Sequence, residues 1–315
     1  MTNKIRVGLV FGGKSGEHEV SIKSANNIYD ALYKNKYEVT KIFVDKNNHW
    51  DNVTFENIDV VFPIIHGTYG EDGCFQRIFE IMDKAYVGPG VLESAVGMDK
   101  DVMKRLLLQA GIPVTKFQIL KKGQSIKIDN YPVFVKPVNM GSSVGISKVS
   151  NKEQLDNAVK LAFEYDTKVI IEDEVVGDEI EVSVLGNDNP IASVPGRIRP
   201  NHDFYDYEAK YLDANGAEPE IPAKISVSKT KEIQELAIKA YKVLECYGMA
   251  RVDMFLTPTG KIILNEINTL PGFTNISMYP KLWGALGSYS KLLDRLIQLA
   301  LEKKKEKDNL KRSFV

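Results

Sequence analysis

The sequence predicts an α/β protein with more than one domain. Three observations carry this: short apolar runs ending in glycine alternate with amphipathic helical stretches, the alternation continues along the chain, and 315 residues exceed one ordinary domain. IRVGLVF (5–11), closed by Gly12-Gly13, reads as a buried parallel strand. SIKSANNIYDALYK (21–34) spaces Ile22, Ala25, Ile28, Ala31 and Leu32 along one helix face, with Ser21 as cap. YEVTKIFVD (37–45) alternates as a second strand. IDVVFPII (58–65) is a third, followed by the loop HGTYGEDG and the helix CFQRIFEIM, a βαββα unit of roughly 90 residues.

Two amphipathic helical stretches follow in GVLESAVGMDKDVMKRLLLQAGI (90–112), closed by Gly111. YPVFVKPV (131–138) is a strand, NMGSSVG a glycine loop, and ISKV a second strand. NKEQLDNAVKLAFEYD (151–166) is a helix with Asn151 as cap, and VIIEDEV (169–175) a strand ended by Gly177. A third segment opens at EIEVSVLG (179–186). It contains a long polar stretch (196–217), a helix (229–245), the strands ARVDMFLT (250–257) and IILNEI (262–267), and a terminal helix (290–307). The lysines closing that last helix suit its negative dipole end.

Composition removes several function classes. Lys+Arg is 41 and Asp+Glu 42, a net charge of -1, so bulk charge does not hold a nucleic acid and none is expected as partner. Two cysteines, Cys74 and Cys246, exclude a disulfide scaffold and a zinc cluster; both are expected as buried small hydrophobes in a reducing compartment. No apolar stretch reaches 18 residues, so no membrane span is expected, and the first residues lack signal-peptide length and a cleavage site. A cytoplasmic location follows as the expectation.

Gly8 to Ser15 matches G-x-x-x-x-G-K-[ST] letter by letter. A P-loop needs the middle residues free to cradle phosphates, whereas Leu9, Val10 and Phe11 are the body of the first strand. Gly12-Gly13 read instead as a tight turn that lets a substrate approach the backbone. The loop after Lys136 is a better phosphate candidate, because Gly141, Ser142, Ser143 and Gly145 join two strands beside a lysine; an ordinary hairpin remains the plain alternative. Most informative is RVDMFLTPTGKIILNEINTLPG. Asp253 lies on one strand, and Glu266 and Asn268 lie two apart on the next, sharing a face. A turn at Pro258 and Gly260 makes the strands antiparallel neighbours. Three oxygen ligands converging beside Arg251 suit Mg²⁺, which keeps waters and binds substrate phosphates.

Seven blocks in order, GLVFGGKSGEHEVSIKSA, FPIIHGTYGEDG, GMDKDVMKRLL, FVKPVNMGSSVGISKV, IIEDEVVGDEIEVSVLG, FYDYEAKY and RVDMFLTPTGKIILNEINTLPGFTNISMYP, resemble the D-alanine–D-alanine ligases of the ATP-grasp family across essentially the whole chain. The segment HWDNVTFENIDVV reads as shortened relative to that family. The resemblance implies an ATP-grasp fold of three α/β domains, 1–96, 97–184 and 185–315, with ATP held between the central and C-terminal domains and a mobile loop at about 196–217. It implies ligation of two D-alanines through an acyl phosphate for peptidoglycan precursors and cell shape, in a homodimer. The same scaffold with D-lactate or D-serine as second substrate is the alternative; a P-loop switch or kinase and an inactive binding protein are the other classes.

The same resemblance implies residue roles. Glu17 holds the first ammonium, with His66 near it; a packing role is the plain alternative for His66. Lys100, Lys136 and Lys210 bind ATP phosphates, and Ser142 and Ser143 cover them. Glu172, Glu174 and Val175 receive adenine, and Glu179 the ribose. Arg251 and the N–H of Gly272 stabilise the oxyanion. Asp253, Glu266 and Asn268 hold two Mg²⁺ ions, for which Mn²⁺ is a substitute. Ser277 and the backbone of Met278 face the second carboxylate, and Glu17, Ser142 and Tyr211 form a hydrogen-bonded set that closes the site.

Overall fold

The computed structural model describes residues 4–50, 55–200, 217–284 and 287–311. Its first sheet is parallel, in the order β2-β1-β3-β4, from β1 (Ile5–Gly12), β2 (Tyr37–Val44), β3 (Val60–Pro63) and β4 (Ala85–Tyr86). Both faces are covered, which is why β1 reads as a continuous apolar run. Val7, Leu9 and Phe11 enter one core with α1 (His18–Ala31); Val10 enters another with Phe75 and Phe79 of α2 (Cys74–Ile81). Gly12 and Gly13 have φ of +98° and +89°. A Cβ on Gly12 would stand 2.2 Å from the Val44 carbonyl oxygen, and one on Gly13 2.6 Å from Ile65. The turn thus packs closely against β2 and Ile65, and Leu9 and Val10, fully buried inside β1, end the P-loop reading.

Ser21 does not cap α1. The helix starts at His18 with Glu17 in the cap position. Ser21 lies inside it, accepting from the Gly12 N–H and donating to the Ile64 carbonyl, so it pins the helix to the sheet.

The helices α3 (Val91–Met98) and α4 (Lys100–Gln109) lead into an antiparallel sheet, β5-β8-β6-β7. Its strands are β5 (Phe117–Lys121), β6 (Val133–Pro137), β7 (Ser147–Val149) and β8 (Lys168–Asp173). Val133, Val135, Val169 and Ile171 pack on α5 (Lys152–Tyr165), so Lys136 and Glu172 point the other way by strict alternation. Asn151 caps α5 as its sequence position suggested, accepting from the Gln154 N–H at 3.1 Å.

The third sheet is also antiparallel, β12-β11-β9-β13-β14 with β10 beside β9. Its strands are β9 (Asp178–Leu185), β10 (Ile191–Ala192), β11 (Gly196–Pro200), β12 (Ala217–Glu220), β13 (Met249–Leu256) and β14 (Ile262–Asn268). Ile180, Val182, Val184, Ala250, Val252 and Leu264 bury one face against α6 (Val227–Val243) and against Met103 and Leu107 of α4. The change of sheet thus falls at Gly177. A division at 184/185 would cut β9 from its partners β10, β11 and β13, and residues 196–200 of the expected loop are strand.

After α7 (Met278–Gly284), the helix α8 (Tyr289–Asp308) returns to the first sheet. Leu293, Leu296 and Ile297 share a core with Val7, Val60 and Phe62. Tyr37 and Lys36 both donate to Asp294 at 2.6 Å.

Candidate active site

Two adjoining cavities open where the second and third sheets face each other. The larger, about 640 Å³, is walled by Lys136, Glu172, Glu174 and Val175 on one side and Glu179, Arg197 and Phe255 on the other. The smaller, about 170 Å³, runs from Arg251, Asp253 and Asn268 to Glu17 and His66. Lys100, Gly141, Ser142, Glu179 and Glu266 line both, so the two are one continuous cleft.

Its floor is set by strand register. Asp253 stands opposite Glu266 and Arg251 opposite Asn268, a square of four polar side chains on one face. A β-bulge makes the square possible. The pairing slips between Asp253 and Met254, so Met254 meets Leu264 and Asn265 is the extra residue. Without it, period-two alternation would place Glu266 and Asn268 on the face where Ile262 and Leu264 are buried. Arg251 donates to both oxygens of Asp253 at 2.7 Å and pairs with Glu181 at 3.1 Å. Desolvation opposes the charge on Arg251, but Asp253 and Glu181 outweigh it and raise the guanidinium well above its ordinary value. Two carboxylates and one amide, all oxygen donors, fit a hard cation that keeps water and shares phosphate oxygens. Among the described residues no group of three His, Cys, Asp or Glu side chains is placed to hold a metal alone.

The opposite wall carries charge in a buried row. Glu172, 2% exposed, meets Lys136 Nζ at 2.5 Å through one oxygen and Lys104 Nζ at 2.7 Å through the other. Burial alone would raise the Glu172 carboxyl; Lys104 and Lys136 override it and hold it at about 2. Burial pulls the Lys104 ammonium down against Glu172, while Glu172 raises Lys136 despite burial. A carboxylate held that low has cations on both sides, so the row is one anion between two ammoniums. Lys100 is the first residue of α4, whose cap Asp99 accepts from the Val102 N–H at 2.9 Å. Its Nζ donates to the Met140 carbonyl at 2.7 Å and lies 3.7 Å from Glu266.

At the narrow end, Glu17 is 8% exposed and accepts from the Ser142 hydroxyl, so the glycine loop touches the first unit. Ser142 and Ser143 have φ of +52° and +61°, a left-handed pair that non-glycine residues rarely adopt. His66 is buried, with Nδ1 3.5 Å from Glu71 and Nε2 3.3 Å from the Ser24 hydroxyl. Ser24 also accepts from the Phe273 N–H, linking His66 to the loop that carries Gly272. A Cβ on Gly272 would lie 2.7 Å from the Ser277 hydroxyl. Ser277 is engaged with Thr274 at 2.8 Å, and the Met278 side chain is packed with Ile198 and Leu282.

Every residue given a catalytic, substrate, nucleotide or metal role from the sequence lines this cleft, apart from Lys210 and Tyr211, which lie outside the described residues; Gly145 of the glycine loop does not line it. Glu174 and Val175 line it from just beyond the end of β8. Among the polar residues at or behind the cleft that escaped sequence reading are Lys104, Glu181, Glu71, Asn265 and Arg197. Helical spacing offered one signal, since Lys104 is one turn after Lys100; the bulge left none. Cys74 is exposed rather than buried, and Cys246 is buried as expected. Among the described residues no helix is long and apolar enough to cross a membrane.

Comparison with known proteins agrees with the architecture. The family model described as D-ala D-ala ligase C-terminus matches residues 106–298, and that described as D-ala D-ala ligase N-terminus matches 6–55 and 51–89. The second match breaks between β2 and β3, where the sequence reads as shortened. A D-alanine--D-alanine ligase of Oceanobacillus iheyensis is 46% identical over 362 aligned residues, covering 98% of this chain and 99% of that protein. The D-alanine--D-alanine ligase of Bacillus anthracis, solved complexed with ATP, superposes with a TM-score of 0.82 at 31% identity, covering 96% of this chain and 99% of that one. The VanG D-Ala:D-Ser ligase of Enterococcus faecalis superposes with a TM-score of 0.85 at 36% identity, covering 95% and 100%. With two family models spanning most of its length and a near-full-length relative at that identity, the chain belongs to the D-alanine–D-alanine ligase family.

Proposed function

We propose that this chain joins two D-alanines into D-alanyl-D-alanine for peptidoglycan precursors, with ATP converted to ADP and phosphate. The single observation that carries the reading is the cleft. A wall of lysines and a floor of Arg251, Asp253, Glu266 and Asn268 face each other, and the space narrows to Glu17. Joining two amino acids in water needs an activated carboxylate. ATP supplies it as an acyl phosphate on the first D-alanine; the second amine attacks, and phosphate leaves the tetrahedral intermediate. Such chemistry asks a protein for position and charge rather than a nucleophile, and no Ser-His-Asp set is needed.

In this reading Lys100 and Lys136 hold phosphates under the Ser142–Ser143 loop. Adenine lies against Glu172, Glu174 and Val175, with Glu179 on the ribose. Glu17 and His66 hold the first D-alanine, and Ser277 and the Met278 backbone hold the second. Arg251 and the Gly272 N–H stabilise the oxyanion. Asp253, Glu266 and Asn268 would hold Mg²⁺, which when bound neutralises phosphate charge. Lys210 and Tyr211 act from the segment between β11 and β12. Three functional units meeting near Gly97 and Gly177, a homodimer and a cytoplasmic location complete the proposal, supported by family resemblance.

The similarity to a D-Ala:D-Ser ligase makes D-serine the second reading. Phosphate release is measured with D-alanine alone, then products are separated with D-alanine, D-serine and D-lactate in competition. Dipeptide as the main product supports the proposal, and a preference for D-serine or D-lactate replaces it. Absence of D-alanine-dependent phosphate release overturns the ligase reading.

A further inference from the structure

Lys104 has no part in the roles above, yet it is a lysine buried directly behind the cleft wall, with a side chain 1% exposed. It lies one helical turn after Lys100 on the same face of α4. Lys100 reaches the open cleft, whereas Lys104 lies behind it and is not among the residues lining either cavity. An ammonium is removed from water only at large cost unless its partners replace the solvent. Lys104 has two: the Glu172 carboxylate on β8 at 2.7 Å and the Asn265 carbonyl on β14 at 2.9 Å.

Those partners belong to the two sheets that face each other. Glu172 reaches Lys136 through its second oxygen. Asn265 is the bulge residue, and the bulge turns Glu266 and Asn268 toward the cleft. We propose that Lys104 is a positioning residue for nucleotide: it carries the counter-charge of Glu172, so that Lys136 is available to phosphate, and it fixes the bulge that aims Glu266. The proposal rests on the ligase reading of the cleft. Charge counting explains the first part. Glu172 with Lys104 and Lys136 leaves one net positive charge for a polyphosphate. Without Lys104 the count is zero, and Lys136 remains on the carboxylate it alone must neutralise.

The test separates phosphate from base. Lys104→Met keeps the length of the stem and removes the charge. Binding of ADP and of adenosine is measured by calorimetry or competition on wild type, Lys104→Met and the double variant Lys104→Met/Glu172→Gln. Expected for Lys104→Met is about tenfold weaker ADP binding, the scale of one charge-assisted contact, with adenosine changed less than about twofold. In the double variant the anion that traps Lys136 is gone, so the ratio of ADP to adenosine affinity recovers toward wild type. Because it places a neutral pair in the interior, it also serves if Lys104→Met alone does not fold. Equal losses of ADP and adenosine, unchanged ADP binding in Lys104→Met, or a double variant without recovery would each overturn the role. A wild type that binds ADP no better than adenosine overturns both this role and the nucleotide reading beneath it.

Discussion

Replacing Arg251 by Met tests the floor of the cleft in three ways. The guanidinium holds Asp253 through two 2.7 Å hydrogen bonds and Glu181 at 3.1 Å, with all three side chains 11–18% exposed. Such pairs lie between surface bridges, worth about 0–1 kcal/mol, and buried pairs, where losing one partner costs about 3–5 kcal/mol. A loss of about 2–3 kcal/mol follows for the partly covered geometry. With unfolding entropy near 2 cal/mol/K per residue, that lowers the melting temperature by about 3–5 °C. Divalent cation should act in the opposite sense. Removing the cation between Asp253 and Glu181, with Glu266 directly opposite, concentrates negative charge on one face, so Mg²⁺ should raise the melting temperature of Arg251→Met by more than that of wild type. If Arg251 serves as the proposed oxyanion donor, turnover should fall by about 10²–10³, the cost of losing one such donor. Differential scanning fluorimetry with and without Mg²⁺, beside a phosphate-release assay, reads all three. A variant that melts like wild type without metal and gains nothing from Mg²⁺ would refute the electrostatic account of this square, whatever its activity.

Three further outcomes are expected. Glu172 is held at about 2 against an ordinary 4.5, so its ionisation contributes stability that is present above about pH 4.5 and lost as pH falls toward 2; that is about 3 kcal/mol by linkage, and acid titration of Glu172→Gln should lack this part of the slope. Lys14→Ala should leave D-alanine-dependent phosphate release within about twofold, because Lys14 is an exposed turn residue outside the cleft; a collapse of activity would restore the P-loop reading. Tyr211→Phe should weaken dipeptide synthesis by about 1–3 kcal/mol and admit some D-alanyl-D-lactate at low pH, as product chromatography from pH 6 to 9 would show; an unchanged product ratio would remove Tyr211 from the set with Glu17 and Ser142.

The sequence exposed those parts of the fold that repeat with a fixed period. β1, β13 and β14 were legible because their apolar residues alternate or run together, and the cap of α5 because Asn151 stands beside a clean helical period. The short strands β4, β10 and β12 span two to four residues, too few for a period, and β11 lies in a polar stretch. Ser21 misled because a serine before an apolar stripe resembles a cap, while its hydroxyl was committed to Gly12 of β1 and to Ile64, just after β3. At the site, the metal-type square was visible as polar interruptions of apolar strands. Its geometry was not, since a bulge at Asn265 changes which alternate residues face inward. Lys104 was hidden for a related reason: a lysine one turn along an amphipathic helix reads as surface, and only its distant partners Glu172 and Asn265 show otherwise.

The seating of α8 on the first sheet has a consequence for the order in which the protein can be made. Val7, Val60 and Phe62 share their core with Leu293, Leu296 and Ile297, residues that follow β4 by about 200 positions. At about 5–20 residues per second, a ribosome delivers that helix roughly 10–40 s after the sheet it covers. During that interval an apolar face stands open on a nascent chain, the surface chaperones bind. Pulse-labelled nascent chains should therefore gain protease resistance in the first unit only once α8 has emerged.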